Sequence, residues 1–164
     1  MFLEYISKQN LAKMIGDVKI FSTNMSIRSD LAFVSIYSNV VSNYIGYGNV
    51  FVEAKNISAK SQYLFAVFKN TNEIDKYTLL TNVVVDSKDI YVEAFKMVGV
   101  VSNVVEGGKT NEYKFYTFTG GGSPVFYQNR KEDTTLECDL LEVLMDSENE
   151  LISSVAKGRV RVVK

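Results

Sequence analysis

The chain of 164 residues has no histidine, no tryptophan, one cysteine and one proline. Histidine is the side chain whose ordinary pKa lies nearest neutrality. Its absence excludes Ser-His-Asp and Cys-His nucleophilic machinery and every histidine-ligated metal site. The missing tryptophan removes the best stacking platform for a sugar ring. A lone Cys138 rules out an internal disulfide and leans towards a reducing compartment.

Charge of one sign is also lacking. Lys and Arg number 18 and Asp and Glu 19, a net charge of −1. A duplex-binding domain needs a basic excess, so nucleic acid is not an expected partner. No apolar run approaches the ~18 residues of a membrane-spanning helix, so no membrane insertion is expected. MFLEYISKQNLAKMIG lacks the basic start, apolar stretch and small-residue cleavage site of a signal peptide. The expected setting is cytoplasmic, or assembled in a particle. Without a secretory route, the glycosylation patterns at Asn24 and Asn56 read as chance.

What is present is an ordinary globular composition, 46% hydrophobic and 23% charged. The length predicts one domain, residues 1–164. Leu3, Ile6, Leu11, Met14 and Ile15 fall on one broad helical arc and predict a helix within residues 1–16, with Gly16 just past its end; the same stretch also reads as a brief strand MFLEYI before a shorter helix capped by Ser7. From there the period becomes two. DVKIF (17–21), LAFVSIY (31–37), NVFVEAK (49–55), QYLFAVFK (62–69) and YTLLTNVVVD (77–86) read as strands. So do 90–105, with a break near Gly99, then 112–119, 124–128, 135–145 and 151–164. The turn formers IGYGN, NTNEID, DSKD, EGGKTN and DSENE separate them. About ten short strands, with no helix long enough for parallel crossovers, predict an antiparallel β-sandwich or a jelly roll. Phe51-Val52-Glu53-Ala54 returns as Tyr91-Val92-Glu93-Ala94, and Tyr77-Thr78 as Tyr116-Thr117, an echo with a period near forty.

Chemistry is sparse. TFTGGGSPVF (117–126) resembles a phosphate loop only in its glycines. No lysine closes it and no helix follows, so it reads as a turn between two strands. Gly120, Gly121, Gly122 and Ser123 are then candidates for a contact tip. Tyr44 and Tyr47, in a turn-rich stretch, are candidates for a binding surface. Arg159 and Arg161 lie on the basic face of KGRVRVVK, which suits an edge strand guarded by charge or a salt-bridged subunit contact. Cys138 falls on the apolar face of its strand and reads as structural. Glu137, Asp139 and Glu142 could pair for acid–base work, but a solvent face with cross-strand partners explains them too. Asp146, Glu148 and Glu150 offer oxygen ligands for Ca²⁺, without the spacing of an EF-hand.

These readings predict a non-catalytic assembly subunit whose partners are itself or other protein subunits, as in a viral or phage particle. The alternative is a sandwich module that binds carbohydrate or a small molecule through its Tyr-rich loops.

Overall fold

The computed structural model describes residues 2–6, 10–21, 25–38, 40–70 and 73–163. Among them every element is a strand, and every pairing is antiparallel. The strands are β1 (Phe2–Ile6), β2 (Leu11–Phe21), β3 (Met25–Tyr37), β4 (Val40–Ala54), β5 (Ile57–Asn70), β6 (Glu73–Ser87) and β7 (Ile90–Glu106). Then come β8 (Lys109–Thr119), β9 (Val125–Asn129), β10 (Thr134–Cys138), β11 (Leu140–Asp146), β12 (Leu151–Lys157) and β13 (Arg161–Val162).

All belong to one sheet with the order β1-β2-β3-β4-β5-β6-β7-β8-β11-β12. β9 pairs with β7 and β10, and β10 also pairs with β13. From β1 to β8 chain neighbours are sheet neighbours, a meander, and beyond β8 the order changes because β9 returns to β7 and β11 to β8. The Greek-key crossings of a jelly roll are absent among the described residues, and the two separate sheets of a sandwich are replaced by one.

The expected helix over 1–16 is instead the hairpin β1–β2, with Phe2 opposite Ile15 and Ile6 opposite Leu11. The apolar residues of that stretch fit both a helical arc and an alternating strand. Pairing of β2 along β3 decides for the strand: Ala12 is buried, whereas Leu3 and Ile15 are exposed. Asn24, in one glycosylation pattern, lies outside the described residues.

A single irregularity recurs across the sheet. Gly16-Asp17, Gly48-Asn49 and Thr81-Asn82 are consecutive residues with positive φ, in β2, β4 and β6. In each hairpin these two residues face one on the next strand. Val18 pairs with Ser29 while Ile15 pairs with Leu31; Val50 with Ser61 while Tyr47 pairs with Tyr63; Val83 with Ala94 while Leu80 pairs with Lys96. Each is a bulge, which bends a strand and increases its twist. Glycine or Asn/Asp supplies most of the left-handed positions at small steric cost. Ser29 and Ser61 brace the bulges, each donating from Oγ to a carbonyl two residues on, Leu31 at 3.0 Å and Tyr63 at 2.9 Å.

The motif repeats every 32 to 33 residues (16 to 48, 48 to 81), so β2–β3, β4–β5 and β6–β7 are three copies of one hairpin. β8/β9 with β10/β11 makes a fourth. Thr119 pairs with Leu140 and Val125 with Cys138, so Gly120–Pro124 occupy the bulge position. The glycine stretch is thus an enlarged bulge within one long strand line, since β8 and β9 both pair with β7. The 51/91 echo joins β4 to β7, which occupy opposite places in their hairpins. Tyr77 and Tyr116, by contrast, hold equivalent places, as does Tyr44, each four residues before the bulge.

The row of bulges bends every long strand at the same level, so one half of the sheet folds over the other. Inward residues of both halves form the core, including Tyr44, Leu64, Leu79, Met97, Phe118, Leu141 and Met145 with the valines 18, 50, 83 and 85. Contacts between distant strands hold the fold closed. Tyr127 Oη on β9 donates to Ser154 Oγ on β12 at 2.9 Å, or accepts from it. Asp89, after β6, is 3% exposed; its Oδ2 accepts from Leu151 N–H at 2.8 Å and pairs with Lys131 Nζ at 2.9 Å.

Candidate functional site

The bulge line divides the outer face into two chemistries. Above it, outward residues run Lys19–Arg28–Phe51–Lys60–Val84–Glu93–Phe126–Glu137–Arg161 from strand to strand, a mixed and largely charged row. That is the usual solvent side of a half-buried sheet. Below it, the first outward row is Ile15–Leu31–Tyr47–Tyr63–Leu80–Lys96–Thr119 and the second is Lys13–Phe33–Ile45–Phe65–Thr78. Val67, Val98, Val100, Phe115 and Leu144 continue this face across β5 to β11. Ile15, Tyr47, Val100 and Phe115 are exposed by 41, 41, 38 and 46%. Tyr47 stands between Phe33 and Tyr63, edge to face, with ring centroids 6.2 and 5.1 Å away. The inward side of these same strands is already the core, and on the outward side the apolar residues concentrate on β3 to β5, with Lys13, Lys76 and Lys96 set around them.

The residues singled out from sequence scatter across this frame. Tyr44 is fully buried, and its hydroxyl lies 2.7 Å from Ser29 Oγ. Burial raises its pKa, partly offset by that hydrogen bond. It is a core residue, not a binding surface, because its stretch is the middle of β4 and not a turn. Tyr47, three residues later, does stand on the exposed apolar face. Gly120 to Ser123 sit at the bulge line, where Phe95 of β7 lies against Gly121 so closely that a Cβ there would meet the ring at 2.4 Å. Glycine is required for that close approach.

Arg159 and Arg161 are engaged within the chain. Arg159 pairs with Asp139 at 3.1 Å, Arg161 with Glu137 at 2.9 Å, and Lys157 with Glu142 at 2.7 Å. The acidic trio and the basic C-terminal strand thus neutralise one another in a ladder. Hydrogen bonds from the Arg159 backbone and side chain hold the Asp139 carboxyl below its ordinary range, against a small opposing effect of desolvation. Cys138 is fully buried, and burial, then the Asp139 charge, pushes its thiol up.

The DSENE turn has its own internal order. Asp146 Oδ1 accepts the N–H groups of Glu148 and Glu150, each at 2.9 Å. Glu148 is ion-paired with Lys55 of the β4–β5 turn. Asn149, 4% exposed, donates to Lys55 O at 2.6 Å and accepts from Lys114 Nζ at 2.9 Å. Among the described residues no group of three or more His, Cys, Asp or Glu gathers as metal ligands. The turn acts as a clasp between distant strands, and its key residue is the asparagine, which no sequence motif marked.

Below that clasp lies a cleft of about 780 Å³. Val52 and Ala59 line it from the upper half-sheet, and Met97, Tyr77 and Tyr116 from the lower. Gly99 separates the two tyrosines on the inward face, and their rings meet edge to face at 6.3 Å. Burial, with the neighbouring Tyr116, holds Tyr77 well above 10; burial pushes Tyr116 up to about 12 despite its hydrogen bond with Tyr77. Sequence reasoning missed the cleft because its walls come from strands far apart in the chain. No protein-family model, curated protein or solved structure matches the chain.

Proposed function

We propose that this chain is a non-catalytic assembly subunit that associates with a second copy of itself through the apolar outer face of its lower half-sheet. The observation that carries this reading is the change of chemistry at the bulge line. On β3 to β5 the same strands present Arg28, Phe51 and Lys60 on one side of it and Leu31, Phe33, Ile45, Tyr47, Tyr63 and Phe65 on the other. From β2 to β8 the face, with Lys13, Lys76 and Lys96 set into it, spans six strand spacings of ~4.8 Å and about five residues of ~3.4 Å, roughly 500 Å² in projection. Two such faces together bury about 1,000 Å², the lower bound for a specific interface. A monomer exposes apolar patches of this size chiefly where something docks. Tyrosine at the centre suits an interface core, because it supplies area at low rotamer cost. Face-to-face docking stacks two sheets ~10 Å apart, so the sandwich suggested by the strand pattern forms between copies.

Light scattering over a concentration series tests this. The wild-type chain is expected to run as a dimer at micromolar concentration. Tyr47→Glu combined with Phe115→Glu is expected to leave a folded monomer, because both side chains are more than 40% exposed. A strictly monomeric wild type at the highest soluble concentration overturns the reading. So does a dimer that the double variant leaves intact.

A further inference from the structure

We propose that the two edges of the sheet pair with one another between copies, β1 of one copy adding as a strand to β12 of the next. These edges are separate from the outer apolar face, and the pairing does not depend on it.

The hairpin repeat carries the argument. β12 and β13 together are a further first strand of the series, after β2, β4, β6 and β8/β9. Lys157 pairs with Leu140 and Arg161 with Glu137, so one extra residue lies between them, at Gly158 with φ 82°. A Cβ at Gly158 would meet Asp139 Oδ2 at 2.5 Å, as one at Gly48 would meet Asp30 Oδ2 at 2.6 Å. Every earlier first strand has a second strand on its far side, namely β3, β5, β7 and β10/β11. Among the described residues β12 pairs with β11 alone. β1 is the converse: it pairs with β2 as β3 pairs with β4, and no described strand lies beyond it. Both edges belong to the lower half-sheet. β12 runs from the lower half towards the upper, as β2 does, so a neighbour's β1 arrives antiparallel to it.

The series also fixes the register. On a second strand, the residue just below the bulge line faces the residue before the bulge on both flanks. Leu31 faces Ile15 and Tyr47, Tyr63 faces Tyr47 and Leu80, and Leu140 faces Thr119 and Lys157. Phe2 faces Ile15 in the same way. The neighbour's Phe2 therefore falls opposite Lys157, Leu3 opposite Ala156, Glu4 opposite Val155 and Ile6 opposite Ser153. This pairing stops short of Leu151, whose N–H and C=O already go to Asp89 and Lys131. Leu3 and Val155, 60 and 49% exposed, each gain a strand beside them.

Edges that stay single are usually guarded by like charges, proline or a bulge. Phe2–Ile6 and Ser153–Lys157 have no proline, and their registers are unbroken. Their charged residues are Glu4 and Lys157, opposite in sign and diagonal to each other in the register above. The contact joins unlike surfaces, so each added copy leaves an edge open at either end and pairing continues from copy to copy.

Disulfide trapping tests the register. Glu4→Cys and Val155→Cys are made as separate chains, both in the Tyr47→Glu, Phe115→Glu background that removes the outer-face contact, then mixed under mild oxidation. Directly opposed residues lie close enough for a disulfide, whereas diagonal ones do not. Cys138 is fully buried and stays out of the reaction. A covalent heterodimer is expected, in about fivefold or greater yield than when Glu4→Cys is mixed with Ser153→Cys or Lys157→Cys. One chain carrying both Glu4→Cys and Val155→Cys is expected to give a ladder of dimers, trimers and larger species on a non-reducing gel. The proposal is overturned if no heterodimer forms, if the diagonal positions cross-link as well, if either single variant alone gives as much homodimer, or if the doubly substituted chain closes only within itself. The background lacks the outer-face contact, so these outcomes report on the edges alone.

Discussion

Replacing Gly99 with alanine tests the packing of the folded sheet directly. Gly99 lies in β7, between Tyr77 of β6 and Tyr116 of β8. It has no unusual backbone angle, and alanine in a strand is ordinarily worth ~0.5–1 kcal/mol over glycine. Local propensity alone therefore predicts stabilisation. The tertiary structure predicts the opposite. A Cβ at this position would meet two Tyr77 ring atoms at 2.7 Å and a Tyr116 ring atom at 3.2 Å. Ordinary carbon contacts begin near ~3.5 Å. Tyr77 and Tyr116 are 7% and 3% exposed and hydrogen-bonded to each other, so neither ring has free space to enter. Overpacking of this kind costs ~1–3 kcal/mol, and from its ~2 kcal/mol midpoint a net loss of about 1–1.5 kcal/mol remains after the propensity gain. For a domain of this size that is a fall in Tm of roughly 2–6 °C. Urea unfolding of Gly99→Ala, alone and with Tyr77→Leu, measures it. In the Tyr77→Leu background the cost of the added methyl should vanish or reverse, giving a clear coupling energy. If Gly99→Ala is as stable as wild type, the close Tyr–Gly–Tyr row is wrong.

Two further predictions concern buried ionisable groups. Asp89→Asn keeps an acceptor for the Leu151 N–H but loses the pair with Lys131, and is expected to destabilise the chain by about 2 kcal/mol at neutral pH. Burial alone would raise the Asp89 pKa, but the Leu151 hydrogen bond and the Lys131 charge outweigh it and hold it below its ordinary value. The contribution is thus present above the unfolded carboxyl pKa and lost as pH falls through the folded one. Wild type and Asp89→Asn should converge in stability in acid, and a gap that persists there contradicts the assignment. Tyr116 behaves in the opposite sense. Its pKa is raised from 10.0 to about 12, so its contribution is complete below pH 10 and is lost as pH rises towards 12. Two pKa units correspond to about 3 kcal/mol. Tyr116→Phe should flatten the alkaline fall in denaturation midpoint, and an unchanged slope refutes the attribution.

The strands were legible because alternation is a local signal. Val50, Val52 and Ala54 against Phe51, Glu53 and Lys55 can be read without knowing any neighbour. IGYGN (45–49) reads as a turn because Gly46 and Gly48 punctuate it. In the structure Gly46 makes room for the Tyr44 ring, and Gly48 shapes a bulge. Both uses of glycine lie inside a strand and leave the same mark in the sequence as a loop. The hairpin repeat went unread for a related reason. Its signature is a pair of left-handed residues, filled by Gly-Asp, Gly-Asn and Thr-Asn, so it is conserved in φ and not in residue type.

What the residues alone determined is the material: extended, antiparallel strands, no histidine chemistry, a buried thiol and a mixed surface charge. These follow from side-chain type and period two, which act over a few residues. Only the tertiary structure decided that the strands form one meander, that a row of bulges folds it, and which face of the lower half is left apolar and uncovered. Each of those depends on register between strands, and register sets which of two equally apolar faces turns inward.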